Sequence, residues 1–276
     1  MKQSNRFRLP ELTYRVWKVW QRDFDVFLKT LRVNFLPPLL EPILYLAALG
    51  YGLGTFVQEI QGIPYVQYIA PALIAISIMN SSFFECTYGS FVRMYYQKTF
   101  DAIIATPISI EEVIAGEMLW GATRSLISSS IVLGVIGAFS LIAKILGASA
   151  AYVLITNPLT LLIPIIALLS GLLFSTIAMC FTALAQNIDF FNYPAFLLIT
   201  PMFLVSGTFF PLSALPQAIQ VLAFAVLPLT HAVNLTRGLF FGNLQSTLLL
   251  SLTWIGAVTI VFFFLSINLM KRKLIK

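Results

Sequence analysis

Six ionisable side chains stand inside or at the borders of long apolar runs: Glu41, Glu85, Arg124, Asp189, His231 and Arg237. A charge at the centre of a bilayer costs about 2.5–3.5 kcal/mol on insertion scales, so such groups must pair or face water. Glu85 and Arg124 lie on neighbouring apolar segments and form a candidate pair, serving either as a structural ion pair or as a gating or ligand contact. His231 is the single histidine and stands beside Thr230 and Pro228. The plain reading is a hydrogen-bonding residue at the end of a short helix; a proton relay is the sharper alternative. One histidine excludes any two-histidine metal site, and Cys86 and Cys180 lie in apolar stretches without CxxC or Cys/His spacing, so they read as small packing residues. The chain has no Gly-Lys dipeptide and therefore no GxxxxGK(S/T) phosphate loop, and it has neither HExxH nor GxSxG. The triplet Leu169, Ser170, Gly171 lies in an apolar run and reads as helix packing.

A second group of residues suits docking rather than catalysis. Residues 93–118 form the longest polar stretch between apolar runs, and Tyr96, Thr99, Phe100, Asp101, Ile104, Thr106 and Pro107 lie in its first half. Thr99 is placed to cap a short helix that ends before Pro107, because a residue preceding proline is pushed out of the helical region. Ser109 with Glu112 then makes a capping box that opens the next helix. The expected element is a short rigid helix whose exposed Tyr96, Thr99, Phe100, Asp101 and Ile104 mix apolar and polar groups, as a small docking knob requires.

Long apolar segments must position these residues. Of 276 residues, 59% are apolar and 10% charged, against about 45–50% and about 25% in soluble domains. No Asp, Glu, Lys or Arg occurs between Glu59 and Glu85, Lys144 and Asp189, Asp189 and Arg237, or Arg237 and Lys271. A hydrocarbon core needs about 20 apolar residues per helix, and six spans follow: about 35–57, 66–92, 119–142, one within 153–185, 193–210 and 248–270. Pro37, Pro38 and Pro42 imply a bent or broken start to the first span, and Gly50 and Gly54 make a small-xxx-small pair in it. Residues 11–32 carry Leu12, Val16, Val19, Trp20, Phe24, Phe27, Leu28 and Leu31 at spacings of three and four, the pattern of an amphipathic helix lying in the membrane interface. Pro211, Pro216 and Pro228 cut residues 211–236 into pieces too short to cross, which fits half-helices that enter and leave on one side; a plain loop is the competing reading.

The fold expected is an all-α polytopic membrane protein with six transmembrane helices, an N-terminal amphipathic interface helix and a re-entrant helical pair before the last span. It divides into a cytoplasmic segment 1–32 and a transmembrane domain 33–276. The net charge of +6 does not point to nucleic acid, since eight of the seventeen Lys and Arg precede Asn34 and four more lie in Lys271, Arg272, Lys273 and Lys276. Fourteen basic residues fall on the side of the two termini and two, Lys144 and Arg237, on the other; Arg124 at the start of the third span is left uncounted. That bias puts both termini in the cytoplasm.

The chain resembles the type-2 ABC export permeases, and within them the nodulation-factor export and daunorubicin-type branches. The residues that carry the likeness are Thr99-Phe-Asp-Ala-Ile-Ile-Ala-Thr-Pro107, Pro201-Met-Phe-Leu-Val-Ser-Gly207 followed by Phe209-Phe-Pro211 and Leu215-Pro216, and Pro228-Leu-Thr-His231 with Arg237-Gly238. The likeness covers roughly residues 10–270, and Asn34-Phe-Leu-Pro-Pro-Leu-Leu-Glu41 and Phe84-Glu-Cys-Thr-Tyr-Gly89 look closer to the nodulation branch. It implies a coupling helix near 99–106 seated in a cytosolic ABC ATPase, an interface helix beside it and a re-entrant pair near 211–231. It also implies two permeases working with two ATPase subunits in a bacterial inner membrane, with ATP and Mg on the partner and no cofactor on this chain. The cargo implied is an amphiphile moving outward, either a lipid-linked or lipo-oligosaccharide or a drug. Glu41, Asn80, Phe83, Phe84, Glu85, Arg124, Phe209, Phe210, His231 and Arg237 are the candidate pathway or gate residues, with ordinary packing the competing reading for each aromatic. A membrane-embedded transferase would need a paired-carboxylate motif that is lacking, and a secondary transporter would need matching broken halves.

Overall fold

The computed structural model describes residues 12–57, 59–147, 154, 155 and 157–274. The expectations for the N-terminal residues 1–11, for Val153 at the edge of the fourth span and for Lys276 in the basic tail lie outside those residues. Among the described residues, six helices are long and apolar enough to cross a membrane: Leu31–Gly50, Tyr65–Tyr96, Ile110–Ile145, Pro158–Leu184, Ile188–Val205 and Ser246–Leu274.

The amphipathic pattern near the N-terminus forms α1, Arg15–Lys29, which buries Val19, Asp23 and Phe27. It stops at Thr30, whose hydroxyl donates to the Val26 carbonyl at 3.0 Å and leaves the backbone outside helical geometry. The helix α2, Leu31–Tyr45, then runs through Pro37, Pro38 and Pro42 without a break and continues in wide π-type turns over Leu46–Gly52. The expected break at the prolines is therefore displaced to Thr30, one residue before the span begins. Gly50 lies where an added Cβ would meet a Val66 methyl at 3.3 Å, so the first span closes tightly on the second.

A two-residue hairpin, Glu59–Ile60 against Ile63–Pro64, leads into α3, Tyr65–Phe84, extended by wide turns to Tyr96. The short helix α4, Thr99–Ile104, precedes the 36-residue helix α5, Ile110–Ile145. The helix α6, Ile163–Leu184, packs against both α3 and α5. Small polar side chains join these three, because hydrogen bonds between helices replace the hydrophobic drive that lipid removes. Ser77 and Ser128 hydroxyls lie 2.6 Å apart, Ser125 donates to the Ala167 carbonyl at 2.7 Å, and Thr182 donates to the Cys86 carbonyl at 2.7 Å. Gly171 permits the α5–α6 approach, since a Cβ there would overlap the Ser125 side chain.

The fifth span contains the short helices α7, Asn192–Pro194, and α8, Thr200–Val205. Beyond it, α9, Gln217–Val226, and α10, Pro228–Phe241, meet at 89°. Leu227, just before Pro228, takes the extended conformation that proline imposes on its predecessor. The bent pair lies where the re-entrant segment is expected, its 89° bend suits a broken span as well as a re-entrant loop, and its second helix reaches ten residues past the expected boundary at 231. The last helix is α11, Ser246–Leu274; its Lys273 donates to the carbonyls of Thr182, at 2.9 Å, and Ala185, closing the end of α6.

Candidate functional site

At one end of the 32-residue second span lies the loop helix α4. It opens after Lys98, which is left-handed at φ 54°, and Thr99 is its first helical residue rather than its cap. Phe100 is fully buried, correcting the expectation that it is exposed, while Thr99 and Ile104 are half-buried. A single turn of helix can keep its place only if one side chain anchors it, and Phe100 is that anchor. Tyr96, Asp101, Thr106 and Pro107 remain exposed around it. The Ser109 capping box forms as expected: Ser109 Oγ accepts from the Glu112 N–H at 3.2 Å, and Glu112 Oε2 accepts from the Ser109 N–H at 2.8 Å. Glu112 also accepts from the Thr13 N–H, at 3.2 Å, and hydroxyl, and Arg15 donates to the Pro107 carbonyl. The start of α1 is thereby tied to the stem of the loop helix.

Directly inside this end, six charges from three helices meet. Arg93 is central: its guanidinium donates to Glu117 at 2.6, 3.0 and 3.1 Å and to Glu85 at 2.8 Å, with Asp23 at 3.7 Å. Arg22 reaches Glu117 at 3.2 Å and also pairs with Asp23. Arg124 lies 3.3 Å from Glu85 and stacks over the Phe27 ring, 4.8 Å from its centroid. Ser90 donates to Glu117 at 2.6 Å and the Trp120 indole to Glu85 at 3.1 Å. Three carboxylates and three guanidiniums balance, as a buried set must. Burial first, and the Glu117 carboxylate second, hold the Asp23 carboxyl at about 7, well above the ordinary range, against the pull of Arg93 and Arg22. Gly89 makes room for the Glu85–Arg93 contact, since a Cβ there would lie 2.9 Å from Glu85 Oε1. Gly116 does the same for α1, whose Val19 would be 2.6 Å from such a Cβ. A cleft of about 460 Å³ opens over the network, bordered by Arg22, Asp23, Glu85, Arg93 and Arg124 and reaching Thr99 of the loop helix.

At the start of the second span, far from the loop helix, Tyr68 meets Arg237 of the bent helix pair that also carries His231. Arg237 of α10 lies over the Tyr68 ring at 4.0 Å and donates to the Gly207 carbonyl at 3.0 Å. Gly207, at φ 76°, makes the turn that leaves the fifth span, so Arg237 pins that turn. Buried His231 bridges both half-helices and the last span: Nε2 is 2.8 Å from the Phe224 carbonyl, Nδ1 is 3.2 Å from Ser251 Oγ, and the ring stacks on Trp254 at 4.2 Å. A ring nitrogen beside a carbonyl must carry the proton, so Nε2–H donates to Phe224.

The family model described as ABC-2 type transporter matches residues 14–241 of the chain. The chain belongs to the ABC-2 type transporter family. Nodulation protein J of Rhizobium meliloti (strain 1021) is 34% identical over 258 residues, covering 93% of this chain and 92% of that protein. Nodulation protein J of Sinorhizobium fredii (strain NBRC 101917 / NGR234) is 33% identical over 268 residues, 97% of each. The inner membrane transport permease YadH of Escherichia coli (strain K12) is 20% identical over 254 residues, 92% of this chain and 93% of that protein. This ABC-2 chain is a multi-pass membrane component of a transporter, and the family implies an ABC ATPase partner.

Within the ABC-2 chain, the expected Glu85–Arg124 pair forms, but as one side of the larger network. Phe83 is fully buried and sits 5.8 Å from Phe84 and 6.1 Å from Phe181, bordering an apolar cavity of about 390 Å³ with Met202 and Trp254. Phe209 stacks edge-on with Phe203 at 4.8 Å, Phe210 is exposed, and Asn80 is half-buried. Glu41 stands apart from all of these on the first span. Sequence reasoning passed over Arg22, Asp23, Ser90, Arg93 and Glu117. The readable signal is spacing: Glu85, Gly89 and Arg93 recur every four residues, and Glu117 and Arg124 are two turns apart, so each set shares a helix face.

Proposed function

We propose that the chain is the permease subunit of an ATP-driven exporter that moves an amphiphile outward across a bacterial inner membrane, as a homodimer with two ABC ATPase subunits. The observation that carries this is the Phe100-anchored loop helix, which presents Tyr96, Asp101 and Thr106 on a stem capped by Ser109 and continuous with a full span. Motion of a partner pressed on that knob passes into α5 through the short connection 105–109, which Arg15 braces at the Pro107 carbonyl and the Ser109 capping box closes, and reaches α1 and α3 through the Arg93 network. ATP and Mg belong to the partner, and both termini of this chain lie in the cytoplasm with the knob. On this topology α1 lies in the cytoplasmic membrane interface, and the bent α9–α10 pair with Arg237 and His231 closes the outer end of the seam between the two copies.

The cargo is a lipid-linked or lipo-oligosaccharide, a reading supported by full-length similarity to the Nodulation protein J sequences. An efflux permease for apolar drugs is the second reading, favoured by the apolar cavity lined by Phe83, Phe174 and Trp254. Proteoliposomes holding the permease with its ATPase separate the readings: ATP-dependent translocation of a saccharide-bearing lipid supports the first, and translocation of an apolar dye alone supports the second. Transport by the isolated chain on a proton or sodium gradient contradicts both.

A further inference from the structure

Three spans end at one groove. The second span closes at Tyr96, the fourth at Leu184 and the last at Leu274. Tyr95, Leu184, Leu269 and Arg272, all near those ends, line a groove of about 730 Å³ that reaches Lys98 and Asp101 of the loop helix. Apolar spans stop where hydrocarbon stops, so the groove lies at headgroup depth. Part of its wall is apolar: Met94 is buried, Leu269 half-buried and Leu184 exposed. The rest is mostly basic, with Lys98, Arg272 and Lys273 set against a single carboxylate, Asp101. Among the described residues Lys98, Asp101 and Arg272 join no ion pair, whereas Lys271 is neutralised by Glu111.

Lys273 is the fixed point of this cluster. Its ammonium donates to the Thr182 carbonyl at 2.9 Å and to the Ala185 carbonyl, and it lies 5.1 Å from the centroid of the Tyr95 ring. An ammonium has three protons, so one is left for a ligand. Two cations without partners and a third with a spare donor give the groove a positive excess that an anion offsets. A small anion meets the cations and leaves Leu184 and Leu269 against water. A phospholipid meets both, because its phosphate and its first methylenes lie side by side at this depth. Basic pockets between spans at the membrane surface bind anionic headgroups in this way, and the groove volume is in the usual ligand range of about 300–1,000 Å³. An acidic protein segment matches the charge as well, but three span ends already place lipid at the groove.

We infer that this groove binds the headgroup of an anionic phospholipid, its phosphate toward Lys98, Arg272 and Lys273 and the start of one acyl chain along Leu184 and Leu269. Such a lipid joins the residue before the loop helix to the ends of α6 and α11. Phe100 anchors the loop helix from within, and the lipid braces it from the bilayer. The inference needs the chain to lie in a membrane and is independent of the exporter reading and its cargo.

The test uses the full-length chain in nanodiscs of mixed phosphatidylcholine and phosphatidylglycerol, with the retained lipid read by native mass spectrometry. The wild type should retain phosphatidylglycerol over phosphatidylcholine, and Lys98→Gln/Arg272→Gln, at two exposed positions, about tenfold less of it. Lys18→Gln/Lys29→Gln removes the same charge from exposed positions on α1 and should retain wild-type amounts. Phosphatidylglycerol should also slow protease cleavage within residues 98–107 of the wild type and not of the groove variant. Equal loss in both double variants, or equal retention of the two lipids by the wild type, overturns the site in favour of general surface attraction. Protection by inorganic phosphate in pure phosphatidylcholine overturns the lipid assignment in favour of a small anion. Loss of ABC ATPase co-purification in the groove variant, with phosphatidylglycerol retention intact, overturns it in favour of an acidic protein partner. Should the groove variant fail to fold, photoreactive phosphatidylglycerol on the wild type decides: label within residues 94–101, 183–186 or 269–274 supports the groove, and label confined to other residues overturns it.

Discussion

Glu117 is fully buried and accepts from Arg93, Arg22 and Ser90 together, so it holds the charge balance of the network beside the loop helix. Replacing it with Leu leaves three guanidiniums facing only two carboxylates, Glu85 and Asp23, and breaking a buried pair in this way costs about 3–5 kcal/mol. The Glu117→Leu chain should show a clearly lowered thermal midpoint in detergent, whereas Asp101→Ala, on an exposed residue, should leave the midpoint in place. Asp23 gives a pH signature. Its carboxyl is held near 7 in the fold, facing Arg22, Arg93 and Glu117, so the folded chain binds this proton more tightly than the unfolded chain. Stability from that proton is complete below the ordinary carboxylate range and is lost as pH rises through about 7. Thermal midpoints should therefore fall between about pH 5 and about pH 8, and Asp23→Asn should flatten the slope.

At the scale of elements, α4 separates anchoring from presentation. Phe100→Ala removes the one fully buried side chain of a six-residue helix and should release it, seen as new protease sensitivity near residues 98–107. The double variant Tyr96→Ala with Asp101→Ala should keep the helix protected and lose only its partner. Sequence reasoning located this helix to within two residues, because Pro107 and the Ser109–Glu112 box punctuate it. It misassigned Phe100 because six residues hold too little periodicity to tell the inner face from the outer. The half-helix bend was legible for a similar reason, since Leu227 must leave helical geometry before Pro228. What His231 grips there was not legible: the Phe224 carbonyl is close in sequence, but Ser251 belongs to another span. His231→Ala should loosen the 89° bend, read as faster thiol labelling of Ala223→Cys in that background than in the wild-type background.

For the whole molecule, hydropathy picked out the six helices that, among the described residues, are long and apolar enough to cross a membrane, because a lipid solvent demands continuous apolar length. The charge network beside the loop helix stayed hidden because its members come from residues 22 to 124 and meet only after α1, the second span and α5 pack. That packing joins the knob to the three helices that carry the network. The most direct measurement is co-purification of the ABC ATPase with the detergent-solubilised permease, wild type against Tyr96→Ala/Asp101→Ala, at equal monodispersity. The wild type should retain the ATPase and the double variant about tenfold less. Equal retention by both, or no ATPase on a wild-type permease that transports by itself, would contradict coupling through this helix.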